Sequence, residues 1–157
     1  MLSAESLQQI DTELAKFPAD QRRSALLSAL RIAQVEKGWL APETIAYVAA
    51  YIGVAEAAAY EVATFYNMYN LEPVGKYKLT VCTNLPCALR GGVDAGEYLK
   101  QKLGIGYGET TSDGLFTLLE GECMGACGDA PVMLVNNHKM CSFMDKEAID
   151  RKLAELN

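Results

Sequence analysis

The sequence contains almost no histidine and none of the common catalytic motifs. Its single histidine, His138, lies among asparagine and lysine residues, whereas a Rieske centre requires two histidines. There is no Walker motif, no zincin motif and no plausible Ser/His/Asp set. The glycine-rich segment 104–108 has the wrong spacing for a dinucleotide fingerprint and follows a predicted helix. We therefore expect no complete active site on this chain.

The sequence also lacks an excess of positive charge and any long apolar run. It has 14 basic and 20 acidic residues and a net charge of −6, which argues against nucleic acid and anionic membrane surfaces as partners. Its apolar stretches end well short of a membrane span, so we expect no direct membrane insertion. The N-terminus lacks the pattern of a secretory signal. These features predict a cytoplasmic protein whose cysteines stay reduced.

Four of the five cysteines form two short pairs, Cys82-x4-Cys87 and Cys123-x3-Cys127. Each pair lies in a segment with glycine or proline, which predicts loops. Four thiolates from two loops are the ligands that a [2Fe–2S] cluster requires. The C-x-x-C spacing of zinc knuckles and dithiol enzymes is absent, which disfavours both, although zinc and structural thiols remain alternatives at this point. The fifth cysteine, Cys141, lies in a predicted strand, where we expect it to be buried.

The apolar periodicity changes near residue 72 and predicts an α+β protein with two domains. Residues 1–72 have helical periodicity and predict a bundle with helices at 3–16, 19–37, 42–53 and 55–69. Residues 73–157 predict a compact β-α-β-β-β-α domain. Its strands are expected at 77–81, 115–119, 131–135 and 139–143, and its helices at 93–103 and 145–156. This order is typical of a thioredoxin-like fold, and the first two strands each lead into a cysteine pair.

Several motifs along the chain are similar to those of one family. They are Gly38-Trp-Leu40, Glu61-Val-Ala-Thr-Phe-Tyr66, Pro73-Val-Gly-Lys-Tyr77 and Gly128-Asp-Ala-Pro131, which accompany the two cysteine pairs. Together they resemble the E subunits of NADH–quinone oxidoreductase, respiratory complex I, which are small thioredoxin-like [2Fe–2S] proteins. The resemblance covers nearly the whole chain. It implies that the cluster ligands are Cys82, Cys87, Cys123 and Cys127.

The resemblance implies an electron-transfer subunit that works beside other proteins. In this family a partner flavoprotein subunit binds FMN and NADH, and the small subunit accepts one electron from the flavin at a side cluster. Residues 1–72 would then be the docking region, and other peripheral-arm subunits would be further partners of a chain held at the periphery of the inner membrane. The [2Fe–2S] subunits of NAD-dependent formate dehydrogenases and NAD-reducing hydrogenases share the pattern, and a free-standing [2Fe–2S] ferredoxin is another alternative.

Overall fold

The computed structural model describes all 157 residues and divides the chain into two compact units, Met1–Pro73 and Val74–Asn157. The first unit is helical, and the second combines helices with a four-stranded sheet. The predicted α+β class is therefore confirmed. No helix in either unit is both long and apolar enough to cross a membrane.

The first unit packs four α-helices around an apolar core. They are α1 (Ala4–Leu14), α2 (Leu26–Lys37), α3 (Pro42–Ile52) and α4 (Glu56–Phe65). Ser3 caps α1, since its hydroxyl accepts a hydrogen bond from the Ser6 N–H at 3.2 Å, which satisfies a free donor in the first turn. Apolar side chains at helical spacing meet in the centre and are fully buried: Ile10, Leu26, Leu30, Leu40, Ile45, Val48 and Ile52.

The prediction of one continuous helix over 19–37 was wrong in its first part. Ala19–Ala25 forms a 3-10 helix in which Gln21 has non-helical backbone angles. The α-helix begins only at Leu26. It ends as predicted at Gly38, which has a φ of +81° and therefore a conformation that glycine adopts without steric cost.

The fourth predicted helix ends about four residues earlier than expected, at Phe65. The chain beyond it is held by the side chain of Gln34 in α2. This amide donates a hydrogen bond to the Met68 carbonyl at 3.0 Å and accepts one from the Asn70 N–H at 2.6 Å. Because these bonds join residues more than 30 positions apart, local helix propensity does not reveal them.

The second unit is a mixed sheet with the strand order β2-β1-β3-β4. Strand β1 (Tyr77–Cys82) pairs in parallel with β2 (Phe116–Gly121) and antiparallel with β3 (Met133–Val135), which pairs with β4 (Lys139–Cys141). Helices α6 (Gly92–Leu103) and α7 (Lys146–Leu156) share one core with the sheet. Its buried side chains include Leu79, Val81, Leu99, Leu118, Met133, Ile149 and Leu153.

The predicted order β-α-β-β-β-α is confirmed, with one additional short helix and a shorter final hairpin. The added helix is α5 (Leu85–Ala88), which lies inside the first cysteine loop. The final two strands have three residues each instead of five. Strand β3 begins two residues later than predicted, after Pro131, which has no N–H to donate to a sheet. Strand β4 ends two residues earlier than predicted, since the Phe143 N–H donates to the Asp129 carbonyl at 2.8 Å instead of to the sheet.

Candidate iron–sulfur centre

Both cysteine pairs start at the same edge of the sheet. In the parallel pairing of β1 and β2, Cys82 lies opposite Gly121, and Cys123 follows two residues later. The carboxyl ends of parallel strands necessarily lie side by side. Two loops that are far apart in the sequence are therefore next to each other at this edge.

The first loop folds into the short helix α5, which holds Cys87. Asn84 caps this helix, since its side-chain oxygen accepts a hydrogen bond from the Leu85 N–H at 3.0 Å. Pro86 in the first turn has a backbone angle that suits a helix start. Cys82 and Cys87 are each only 1% exposed, so both cysteines of the first loop are buried.

The second loop is stabilised by its own backbone. Gly125 has a φ of +77°, and its N–H donates a hydrogen bond to the Cys123 sulfur at 3.5 Å. A backbone N–H of the loop thus points at a cysteine sulfur. Cys127 begins a 3-10 turn, Cys127–Asp129, and the Asp129 carboxylate accepts a hydrogen bond from the Ser142 hydroxyl at 3.0 Å. The loop is thereby tied to the segment after β4.

The four sulfurs form two pairs that lie together. The Cys123 and Cys127 sulfurs are 3.4 Å apart and exposed, and Cys82 and Cys87 are buried in one small cluster. Two sulfurs on one tetrahedral metal at about 2.3 Å lie roughly 3.7 Å apart, close to the observed separation. Cys82 and Cys87 also pack against Met124 and Ala126 of the second loop.

The thiols of the two loops have different acidities. Burial raises the pKa of Cys87, and the hydrogen bond with Cys82 raises it further. The Gly125 N–H lowers the pKa of Cys123, because it stabilises the thiolate, and the hydrogen bond from Cys127 adds to this. The pKa of Cys127 is raised, mainly by its hydrogen bond with Cys123 and next by burial. The contacts within the two loops therefore lower the pKa of Cys123 and raise the pKa values of Cys87 and Cys127.

Cys141 and His138 lie away from this group. Cys141 is 6% exposed and belongs to the core of the second unit, as predicted, and burial raises its pKa. The backbone N–H of His138 donates to the Val135 carbonyl in the hairpin between β3 and β4. That turn contains Asn136 and Asn137 with positive φ, a conformation that asparagine tolerates well.

Four side chains that join the two cysteine loops by hydrogen bonds were not predicted from the sequence. Thr83 donates to Glu120 at 2.7 Å, and Asn84 donates to Glu122 at 2.5 Å. Each donor follows Cys82 closely, and Glu122 directly precedes Cys123. The only sequence signal is the presence of acidic residues at the end of a predicted strand beside a cysteine pair, and this does not identify their partners.

A buried pair and an exposed pair of thiols at the edge of such a sheet are the features of a small iron–sulfur protein. The chain belongs to the family of thioredoxin-like [2Fe–2S] ferredoxins, whose model matches residues 10–157. Two curated relatives are similar over most of their length. One is NADH-quinone oxidoreductase subunit 2 of Thermus thermophilus, 40% identical over 94% of this chain and 81% of the relative. The other is the NADH-quinone oxidoreductase E subunit of Rickettsia typhi, 48% identical over 81% and 75%. The resemblance inferred from the motifs is thus confirmed.

A solved structure shares the fold of nearly the whole chain. It is the NAD+-reducing [NiFe]-hydrogenase in the air-oxidised state, with a TM-score of 0.72, 21% identity and coverage of 83% of this chain. The matched region spans only 22% of that hydrogenase chain. At this identity the likeness concerns the fold alone.

Proposed function

We propose that this chain is the electron-carrying subunit of an NADH:quinone oxidoreductase, with a [2Fe–2S] cluster bound by Cys82, Cys87, Cys123 and Cys127. The observation that carries the proposal is the meeting of two cysteine pairs at the carboxyl ends of β1 and β2. When bound, such a cluster stores one electron. The names of the relatives support the assignment to this enzyme complex.

The pairing of the cysteines favours a two-iron cluster. A structural zinc site places four ligands around a single ion, whereas the cysteines here come as two pairs from two loops. In a [2Fe–2S] cluster each iron takes two cysteine sulfurs, so the two pairs match that requirement. The Gly125 N–H at the Cys123 sulfur would stabilise the negative charge of the ligands.

The division into two units supports separate tasks. Residues 73–157 would hold the cluster, and residues 1–72 would be the docking region. Phe65 is 80% exposed, and its ring stacks edge-to-face on Tyr66, which is 40% exposed, at a centroid distance of 5.0 Å. Exposed aromatic side chains of this kind are typical of protein interfaces. The partner would be a flavoprotein subunit that binds FMN and NADH, in a complex at the cytoplasmic side of the inner membrane.

The cofactor is tested by chemical analysis of anaerobically purified chain. We expect about two iron and two acid-labile sulfide per chain, with no EPR signal when oxidised and a rhombic S = 1/2 signal after dithionite reduction. A colourless chain with about one zinc, after failed reconstitution with iron and sulfide, would contradict the proposal. The cysteines would then form a structural metal site.

The partner is tested separately by size-exclusion chromatography with the cognate flavoprotein. A stable complex that survives the column supports a permanent subunit, and a transient encounter favours a free-standing ferredoxin. Genomic neighbours distinguish a quinone reductase from a formate dehydrogenase or hydrogenase, since the latter two require a molybdenum or nickel subunit.

A further inference from the structure

The two cysteine loops are joined by hydrogen bonds directly beside the sulfur ligands. The Thr83 hydroxyl donates to the Glu120 carboxylate at 2.7 Å, and the Thr83 N–H donates to the Gly121 carbonyl at 3.2 Å. One residue further along, the Asn84 amide donates to the Glu122 carboxylate at 2.5 Å. These are the bonds that connect the start of the first loop with the start of the second.

Asn84 has two partners, and together they link Glu122 to a cysteine in the other loop. Its amide nitrogen binds Glu122, while its side-chain oxygen caps α5 by accepting from the Leu85 N–H at 3.0 Å. Helix α5 holds Cys87. The hydrogen bond with Glu122 therefore fixes the orientation of Asn84. Asn84 in turn caps α5, the helix that contains Cys87.

Glu122 also brings a negative charge to this position, since it is the residue immediately before Cys123. A four-thiolate [2Fe–2S] centre is itself anionic and becomes more so on reduction. A carboxylate next to it opposes the uptake of another electron by simple Coulomb repulsion, and local charge is one of the factors that set the reduction potential of such clusters.

We propose that Glu122 is a positioning residue for the cluster. Its hydrogen bond with Asn84 holds the two cysteine loops together, and its charge lowers the reduction potential of the centre between them. This inference rests on the proposed [2Fe–2S] function. Glu122 would act on the cluster without being one of its ligands.

The Asn84–Glu122 pair allows the charge to be removed with the hydrogen bond kept, and the hydrogen bond to be broken and then restored. Glu122→Gln removes the charge but keeps an oxygen that accepts from Asn84. Asn84→Asp keeps the cap on α5 but replaces the donor with a second carboxylate. The double variant Asn84→Asp/Glu122→Gln restores an amide–carboxylate pair with reversed direction and the original net charge. Glu147→Gln is the matched control, because Glu147 is an exposed acid in α7 without a hydrogen bond to either loop.

Each full-length variant is reconstituted anaerobically and measured for iron and sulfide content, midpoint potential by EPR-monitored titration, and the rate of cluster loss to a chelator. We expect Glu122→Gln to retain the wild-type iron content and to have a higher midpoint potential. We expect Asn84→Asp to lose its cluster about fivefold faster, the factor that corresponds to one hydrogen bond. The double variant should regain the wild-type rate and potential, and Glu147→Gln should match the wild type in both.

Three results would overturn the inference. If Glu122→Gln and Glu147→Gln have the same midpoint potential, the charge of Glu122 does not act on the centre. If Asn84→Asp loses its cluster at the wild-type rate, the hydrogen bond between Asn84 and Glu122 does not position the loops. The same holds if the double variant loses its cluster as fast as Asn84→Asp does. A wild-type chain without iron and sulfide would instead refute the proposed function, so the two failures are distinguishable.

Discussion

Gly92 lies so close to Cys82 that a Cβ atom added to it would stand 2.7 Å from the Cys82 carbonyl oxygen. The same atom would be 2.9 Å from the carbonyl carbon and oxygen of Cys87. All of these are backbone atoms of the first cysteine loop, so they cannot rotate away as a flexible side chain would. The first turn of α6 is therefore compatible only with glycine unless the loop shifts.

We predict that Gly92→Ala destabilises the first cysteine loop and reduces the bound iron. Overpacking of this kind typically costs about 1–3 kcal/mol, and the strain falls on the residues that carry two of the four thiols. Iron content and thermal unfolding are the measurements. Gly128→Ala is the control, because Gly128 follows Cys127 directly, has no positive φ and has nothing within 4 Å of an added Cβ. Wild-type iron and stability in Gly92→Ala would contradict the prediction.

We predict that Cys87→Ser changes the cluster signal and that Cys141→Ser does not. Cys87 is buried beside Cys82 and packs against Met124 and Ala126 of the second loop, so its replacement should weaken or shift the EPR signal. Cys141 lies in the core of the second unit, and its replacement should leave the signal intact at some cost in stability, because a hydroxyl is buried there. An unchanged signal in Cys87→Ser would remove that residue from the ligand set.

We predict that Gln34→Met destabilises the helical unit by about 1–3 kcal/mol. The Gln34 side chain is 9% exposed and bonds both the Met68 carbonyl and the Asn70 N–H, and methionine can replace neither bond. Chemical unfolding followed by circular dichroism measures the loss. The neighbouring substitution Val35→Ala should change the stability little, because Val35 is 67% exposed. Equal stabilities of the two variants would show that the Gln34 bonds contribute nothing.

We predict that stability relative to Lys78→Met increases between pH 8 and pH 10.5. Burial lowers the pKa of Lys78 from 10.5 to about 8, because a low-dielectric environment disfavours the ammonium. Between these values the unfolded chain binds a proton that the folded chain does not, so the free energy of unfolding rises with pH. The gain should be about 3 kcal/mol at most.

The Lys78 prediction is checked by denaturant unfolding of both proteins at a series of pH values. Groups other than Lys78 titrate in both chains, so the difference between the two curves isolates this lysine. Parallel curves from pH 7 to pH 11 would mean that Lys78 keeps its charge in the folded state. Its backbone remains unaffected by the substitution, since the bonds to Asn136 use the Lys78 N–H and carbonyl.

Much of the fold follows from local signals in the sequence. Ser3, Gly38, Pro42 and Asp145 mark helix ends where the structure has them, because capping and the special angles of glycine and proline act within a few residues. The early end of α4 and the 3-10 segment before α2 were not predictable in the same way. In the case of α4 the cause is the side chain of Gln34, which acts over more than 30 residues of sequence.

The cysteines alone were enough to predict a thiolate site and to favour one kind of metal centre. Their number and spacing favour a [2Fe–2S] cluster over zinc and structural thiols, since ligand type and loop composition are local properties. The apolar periodicity also predicted the order of the strands that lead into the two pairs. These features need no knowledge of which strands are neighbours.

How the two cysteine pairs meet, and which side chains surround them, depends on the packing of the folded chain. The parallel pairing of β1 with β2 places Cys82 opposite Gly121, and this brings Asn84 within hydrogen-bond distance of Glu122. It also buries one cysteine pair and exposes the other. Register, burial and bonds between distant loops arise from packing of the whole sheet, because a pairing shifted by one residue would turn every side chain to the opposite face.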